Sequence, residues 1–213
     1  RPDRPLPAGR ISPAAAVAVC LALAALALLS YPTPAMGILL GTITAYNSLK
    51  ERLPALAAPL MAGCRVLALW IGAGAPASPP PELLLVAGVW GGFIFGVTAL
   101  ARLETTTRNP GGRVGVLTLW LGGTPLILWG FTGPVLRPEA AVSYLFLLIF
   151  AGTLGRKIQR RGRVEPRDIG GYLRLLFPLQ AVALGLFGQP VAAALALGGW
   201  PVLAWISRRV PMS

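Results

Sequence analysis

The sequence predicts an all-α, polytopic membrane helix bundle that forms a single domain over residues 1–213. First, the chain is 55% hydrophobic and has a mean hydropathy of +0.69. Second, only 12% of its residues are charged, whereas soluble domains carry about 25%. Third, apolar runs of about 20 residues, the length that crosses a bilayer core, recur along the chain. Histidine is absent, which excludes His-dependent catalytic triads and His-ligated zinc within these residues.

Eight candidate membrane spans follow from a window of that length, and short connections rich in Gly and Pro join them. Their approximate bounds are residues 12–30, 33–49, 54–74, 82–102, 113–131, 138–157, 170–187 and 190–207. The last two are the weakest, because the short Gly188-Gln189-Pro190 stretch separates them and Pro201 interrupts the second. They are either two spans or one span with a re-entrant piece. We therefore expect about seven to eight transmembrane helices.

The placement of the basic residues tests this count of spans. If Arg1 to Arg10 face the cytoplasm, eight alternating crossings put 17 of the 19 basic residues on the cytoplasmic side. Of the other two, Arg137 lies in an outer loop and Arg65 lies inside a span. This bias agrees with the positive-inside rule, and a wrong number of crossings would scramble it. The sequence therefore predicts an even number of crossings.

The same charges predict the location of the chain. We expect a multi-pass protein of a bacterial-type inner (cell) membrane, in which the loops with Lys50, Glu104 and Arg156–Asp168 are cytoplasmic. The last loop is the most basic stretch, and we interpret it as a topology anchor that contacts anionic membrane lipids. The net charge of +12 does not indicate nucleic-acid binding, since the basic residues lie between apolar segments and no nucleic-acid-binding motif is present.

Two glycine pairs have the spacing that lets membrane helices approach closely. They are Gly37 with Gly41, and Gly92 with Gly96. We interpret both pairs as helix-packing sites rather than as parts of a functional site.

A polar stripe, TAYNSLKER, lies at the inner end of the second span. Its polar residues recur at helical spacing, with Asn47 in the stripe and Lys50 beside it. One interpretation is a helix end whose lysine reaches out to water. The other is a phosphate contact, in which Lys50 supplies a point charge and Asn47 an amide donor.

Arg65, in the stretch MAGCR, lies about eleven residues into its span and so near mid-membrane. A charged side chain there costs at least about 2.5–3.5 kcal/mol and must find a partner. A structural ion pair or a clamp on backbone carbonyls would meet that need. We favour the alternative, in which Arg65 lines a polar cavity and meets an anionic substrate.

Glu104, in the stretch ARLETTTRN, lies at the inner end of the fourth span. It is four residues before Arg108, so the two side chains can neutralise each other on one helical turn. Alternatively, the Glu104 carboxylate faces the same cavity as Lys50 and Arg65. There it would hold a magnesium ion bound to a substrate diphosphate.

The opening stretch RPDRPLPAGRIS (Arg1 to Ser12) resembles a motif, RPxRPLPxGxIS, of the UbiA-type intramembrane prenyltransferases, the family of 4-hydroxybenzoate polyprenyltransferase. In that family the motif follows a cytoplasmic NDxxDxxxD sequence and precedes the third transmembrane helix. TAYNSLK is similar to the end of the fourth helix, and MAGCR is similar to the MGxCR of divergent bacterial members. ARLE, Ala101 to Glu104, stands where the second aspartate-rich motif is expected. The resemblance implies a UbiA-type fold that is N-terminally truncated, with two helices and the first motif upstream of Arg1.

The resemblance implies a magnesium-dependent enzyme that moves a prenyl group from a prenyl diphosphate to a lipophilic acceptor, aromatic or similar to a quinone precursor. Asn47, Lys50 and Arg65 would then bind the substrate diphosphate. Glu104 would be a metal ligand, with the main Mg²⁺ ligands upstream of Arg1. Residues 1–213 alone are then expected to be inactive, and no catalytic residue is assigned.

The departure from the family pattern leaves a second function open. Typical members carry two or more aspartates in the second motif, whereas this chain has only Glu104 between Arg102 and Arg108. The alternative is a non-catalytic UbiA-like membrane carrier or an assembly partner in biosynthesis. A channel or secondary transporter has little support, because only one ionisable residue lies at mid-membrane and no inverted repeat is apparent.

Overall fold

Residues 9, 11–103, 110–132 and 137–209 are described by a computed structural model of the chain. Over these residues the chain forms nine α-helices and no β-strand, so the predicted all-α class is confirmed. The helices are α1 (Pro13–Ser30), α2 (Pro34–Leu49), α3 (Pro54–Gly72), α4 (Pro81–Ala101), α5 (Gly111–Thr132), α6 (Pro138–Arg161), α7 (Pro166–Arg174), α8 (Leu176–Leu186) and α9 (Pro190–Arg209).

Proline begins most of these helices. It is the first residue of seven of the nine described helices, where its fixed φ favours the first turn and its missing N–H removes no helical hydrogen bond. At α1 the Ser12 hydroxyl completes the N-cap by accepting from the Ala15 N–H at 3.1 Å. The observed helices consequently begin within about four residues of the predicted spans.

Within the described part of the chain, five helical segments are long and apolar enough to cross a membrane: α1, α3, α4, α6 and the joined α7 and α8. The α2 helix has only 16 residues, and residues Pro190–Val202 of α9 form a shorter apolar helix. The described chain is therefore a helical bundle with the features of a multi-pass membrane protein, as the sequence predicts. The finer count of seven to eight crossings stays a prediction.

The seventh predicted span, residues 170–187, begins earlier than expected and contains a break. It starts at Pro166, and the helix is interrupted between Arg174 and Leu176. Pro178 has no N–H to donate to the Arg174 carbonyl four residues earlier, so one hydrogen bond of a regular helix is lost at this point.

The core of the described bundle lies among α4, α5, α6 and the α7–α8 segment. Its largest fully buried side chains include Phe93, Leu121, Leu147, Tyr172 and Leu179. By contrast, α1 has no buried residue and packs against α2. Helices α2 to α6 pack in chain order, and α8 packs between α6 and α9.

Ion pairs hold the corner between α6 and α7. Gly162 ends α6 in the left-handed region, with a φ of +70°. The last residue of α6, Arg161, pairs with Glu165 at 3.3 Å and with the buried Asp168. Asp168 also accepts from the Glu165 N–H at 2.8 Å, which caps the first turn of α7. The basic loop that we interpret as a topology anchor therefore carries a structural cluster as well.

Candidate functional site

A cavity of about 580 Å³ lies between α3, α4 and α5. Arg102 at the end of α4 and Arg113 in the first turn of α5 border one end of it, whereas the rest of the lining is mainly apolar. Gly92 on α4 and Trp120 on α5 border the far end. Ten helical residues separate Gly92 from Arg102, so the cavity extends over about 15 Å along α4.

Two glycines of α4 shape the floor of this cavity. A Cβ atom at Gly92 would overlap the indole ring of Trp120, and one at Gly96 would lie 2.8 Å from the Leu117 Cδ1 atom. The Trp120 Nε1–H also donates to the Val89 carbonyl at 3.4 Å, which holds the indole over the α4 backbone. The sequence prediction that Gly92 and Gly96 are helix-packing positions is therefore confirmed.

The other predicted glycine pair has a different environment. A Cβ atom at Gly37 or at Gly41 would meet no heavy atom within 4 Å among the described residues. Both glycines are exposed on α2. The described chain therefore offers no helix that packs on this face.

The two arginines sit where the helix ends come together. Arg113 Nη1 donates to the Ala99 carbonyl at 2.9 Å, one of the last four carbonyls of α4, which have no partner within a helix. This hydrogen bond joins α5 to the end of α4. A guanidinium has five N–H donors in a planar fork that matches phosphate oxygens, so Arg113 keeps donors for an anionic ligand. Arg102 and Arg113 both have exposed side chains.

The structure brings two of the predicted diphosphate-binding residues together. Lys50 Nζ donates to Asn47 Oδ1 at 3.5 Å, and the ammonium lies 5.6 Å from the centroid of the Tyr46 ring. Asn47 and Lys50 therefore form one polar group at the C-terminal end of α2. Neither residue lines the cavity between α3, α4 and α5.

Arg65 lies on α3, the helix that packs against α2. It is the twelfth of the 19 residues of α3, as its predicted position near mid-membrane requires. Its side chain is exposed and does not line the 580 Å³ cavity. The described residues thus do not place Arg65 with Asn47 and Lys50 in one cavity, and its contact with a diphosphate stays a prediction.

Glu104, the predicted metal ligand, lies outside the described residues. Arg102 and Arg113, which lie before and after it in the chain, border the 580 Å³ cavity. Among the residues that the structure does describe, no group of three or more Cys, Asp or Glu side chains is placed to hold a metal ion. Mg²⁺ therefore stays an expectation from the resemblance.

The sequence analysis missed Arg102 and Arg113 as site residues, because it used both only as markers of the cytoplasmic side. One signal was available, since each lies next to the loop that contains Glu104. The adjacent Gly92 and Gly96 were a second signal, because glycines on one helix face leave room as well as permitting close packing. Both signals need knowledge of which helices pack together.

Comparison with known proteins found no match, either to a protein-family model, to a curated protein or to a solved structure. The described residues define the class of the protein without such a match. It is an all-helical protein whose apolar helices indicate several membrane crossings. The cavity between α3, α4 and α5, with Arg102 and Arg113 at one end, suits an elongated ligand with an apolar body and an anionic end.

Proposed function

We propose that this chain belongs to a membrane prenyltransferase of the UbiA type, which moves a prenyl group from a prenyl diphosphate to a lipophilic acceptor. The observation that carries the proposal is the cavity between α3, α4 and α5. Its volume, about 580 Å³, lies in the range of small-molecule sites, about 300–1,000 Å³. Its mainly apolar wall suits a prenyl chain, and Arg102 and Arg113 at one end suit a diphosphate.

The chemistry requires that the allylic diphosphate ionises while water is kept away from the carbocation. Cationic side chains lower the cost of the charge that develops on the departing diphosphate. We assign this role to Arg102 and Arg113, with Lys50 and Asn47 as further diphosphate contacts from the end of α2. Apolar residues such as Phe95 and Leu117 would exclude water from the prenyl carbon. The resemblance adds Mg²⁺, for which Glu104 would be one ligand, and no step proposed for this chain's own residues depends on that ion.

The sidedness belongs to the same proposal. We place eight crossings in a bacterial-type inner membrane, with Lys50, Glu104 and Arg156–Asp168 on the cytoplasmic side. The end of α2, the start of α3, the end of α4 and the start of α5 then lie on one side. The hydrophilic diphosphate group of the substrate would therefore meet the basic end of the cavity at the cytoplasmic surface.

The test is binding of a radiolabelled prenyl diphosphate to the complete gene product in detergent. We expect Arg102→Gln and Arg113→Gln each to weaken binding about tenfold, because each removes a charge-assisted hydrogen bond. Lys50→Gln and Arg65→Met test the other predicted contacts in the same assay. Arg156→Gln is the matched control, since Arg156 is exposed on α6 and does not line the cavity. Unchanged affinity in both Arg102→Gln and Arg113→Gln would refute this site.

The carrier function remains the second candidate, because ARLE contributes a single carboxylate where family members have several. The same preparation distinguishes the two functions. An enzyme alkylates a lipophilic aromatic acceptor when prenyl diphosphate and Mg²⁺ are supplied. A carrier binds the prenyl diphosphate with the same dependence on Arg102 and Arg113 and returns it unchanged.

A further inference from the structure

A second cavity, of about 300 Å³, lies between α6, the junction of α7 and α8, and α9. Lys157 of α6 and Arg174 at the end of α7 border it, and none of the described acidic residues does. Phe150 and Trp200 also line it, with ring centroids 4.6 Å apart. Seven residues separate Phe150 from Lys157 along α6, or about 10 Å. The α6 side of the cavity is therefore aromatic at one end and cationic at the other.

Two N–H groups at this cavity are buried without an acceptor among the described residues. They are Arg174 Nε–H and the indole Nε1–H of Trp200. Buried polar groups in folded proteins are nearly always hydrogen-bonded. Two buried N–H groups without an acceptor at the same cavity therefore indicate that an acceptor is missing. Lys157, which is exposed at the same cavity, adds three ammonium donors. These three side chains offer only donors, which suits an anion rich in acceptor oxygens.

The carboxylates nearest in sequence are already used. Glu165 pairs with Arg161 at 3.3 Å, and the buried Asp168 pairs with the same guanidinium. Neither carboxylate lines the cavity. Lys157 and Arg174 therefore have no carboxylate partner among the described residues, although Glu165 and Asp168 lie between them in the chain.

The surroundings of the cavity favour a lipid over a soluble anion. Ile149 on α6 is 52% exposed and Leu195 on α9 is 73% exposed, so both helices that flank the aromatic wall present apolar side chains to the bilayer. A basic site close to such a face meets lipid headgroups. Anionic lipids are enriched in the cytoplasmic leaflet, where the charge distribution puts Lys157 and Arg174.

We propose that this cavity binds the phosphate headgroup of an anionic membrane lipid. The phosphate oxygens accept from Lys157, from Arg174 and from the indole N–H of Trp200, and the start of an acyl chain lies against Phe150. The break in the helix at Leu175 contributes to the site, because it ends α7 at Arg174, and Pro178 removes the hydrogen bond to the Arg174 carbonyl. This site is separate from the cavity between α3, α4 and α5 and does not depend on the proposed prenyltransferase function.

Native mass spectrometry of the complete gene product tests the proposal, with phosphatidylglycerol, phosphatidylcholine or inorganic phosphate added to the delipidated protein. We expect one phosphatidylglycerol to bind in preference to phosphatidylcholine. Lys157→Gln and Arg174→Gln should each weaken it about tenfold. Trp200→Phe keeps an aromatic ring but removes the N–H together with part of the indole, so a loss of about threefold is expected. Arg52→Gln, at an exposed basic residue between α2 and α3 that does not line the cavity, should bind like the unchanged protein.

Several outcomes would overturn the proposal. Equal binding of the two lipids would remove the preference for an anionic headgroup. Equal loss in Arg52→Gln would indicate a diffuse surface charge instead of a built site. Competition by inorganic phosphate at the same affinity would make it a site for a soluble anion. If Arg174→Gln fails to fold, Lys157→Gln and Trp200→Phe decide the matter, and normal binding in both contradicts the proposal.

Discussion

Asp168 is a carboxylate with only 1% of its surface exposed, at the corner where α6 meets α7. Its charge is balanced by Arg161, and the N–H of Glu165 donates to it at 2.8 Å. The sequence assigned this stretch to membrane topology and to contact with anionic lipids, because basic residues outnumber the two acids within it. The structure shows that those acids fix the local fold.

The substitution Asp168→Asn should therefore destabilise the protein by about 3 kcal/mol, because the partly buried Arg161 guanidinium loses its buried carboxylate partner and keeps only the pair with Glu165. Arg167→Gln is the matched control. Arg167 pairs with Glu165 but its side chain is 67% exposed, so its loss should cost less than about 1 kcal/mol. Thermal unfolding in detergent measures both. Equal unfolding temperatures for the two variants would show that the corner is not held by Asp168.

At the scale of single residues, the sequence predicts contacts within one helix better than contacts between helices. Asn47 and Lys50 are three residues apart, so their contact follows from helical spacing and the structure contains it. Arg102 and Arg113 border the same cavity only because α4 and α5 pack antiparallel. Sequence spacing alone carries no information about that packing.

At the scale of helices, most boundaries follow from proline. A proline in the first turn predicts a helix start from the local sequence alone. The predicted bounds 54–74 and 138–157 therefore begin where α3 and α6 begin. The break after Arg174 was not predicted, because a window of mean hydropathy does not register the single hydrogen bond that Pro178 removes.

The two glycine pairs make a matched test of helix packing. Gly92→Ala should destabilise the protein by about 1–3 kcal/mol, because the new methyl group must displace the indole of Trp120. Gly41→Ala should be neutral or stabilising by up to about 1 kcal/mol, since Gly41 lies in open space within a helix. Thermal unfolding of both variants in the same detergent is the measurement. If Gly41→Ala lowers the unfolding temperature more than Gly92→Ala does, another helix or molecule packs on this face of α2.

At the scale of the whole molecule, the sidedness of the loops can be mapped with single cysteines in a background without Cys20 and Cys64. Eight crossings put Ser78→Cys and Gln189→Cys outside. A membrane-impermeant maleimide should therefore label both in intact cells. Glu51→Cys and Arg163→Cys should react only after permeabilisation. Labelling of Glu51→Cys from outside, or protection of Gln189→Cys, would contradict the predicted number of crossings.

The class of the molecule followed from composition, whereas the position of its site did not. Mean hydropathy and the spacing of apolar runs depend on many residues, so an error at a few positions does not change the predicted class. A cavity depends on which helix faces meet, and here it depends on Gly92 and Gly96 lying against α5. The larger basic-lined cavity was therefore visible only in the folded chain.

The most direct test of the central claim is photo-crosslinking with a prenyl diphosphate analogue that carries a diazirine at the far end of its chain. If the prenyl chain occupies the cavity between α3, α4 and α5, the label will attach to peptides of α4 and α5 near Gly92 and Trp120. It will be reduced by excess unlabelled prenyl diphosphate and by Arg113→Gln. Labelling confined to α1 or α9, or unaffected by that excess, would contradict the assignment of this cavity as the substrate site.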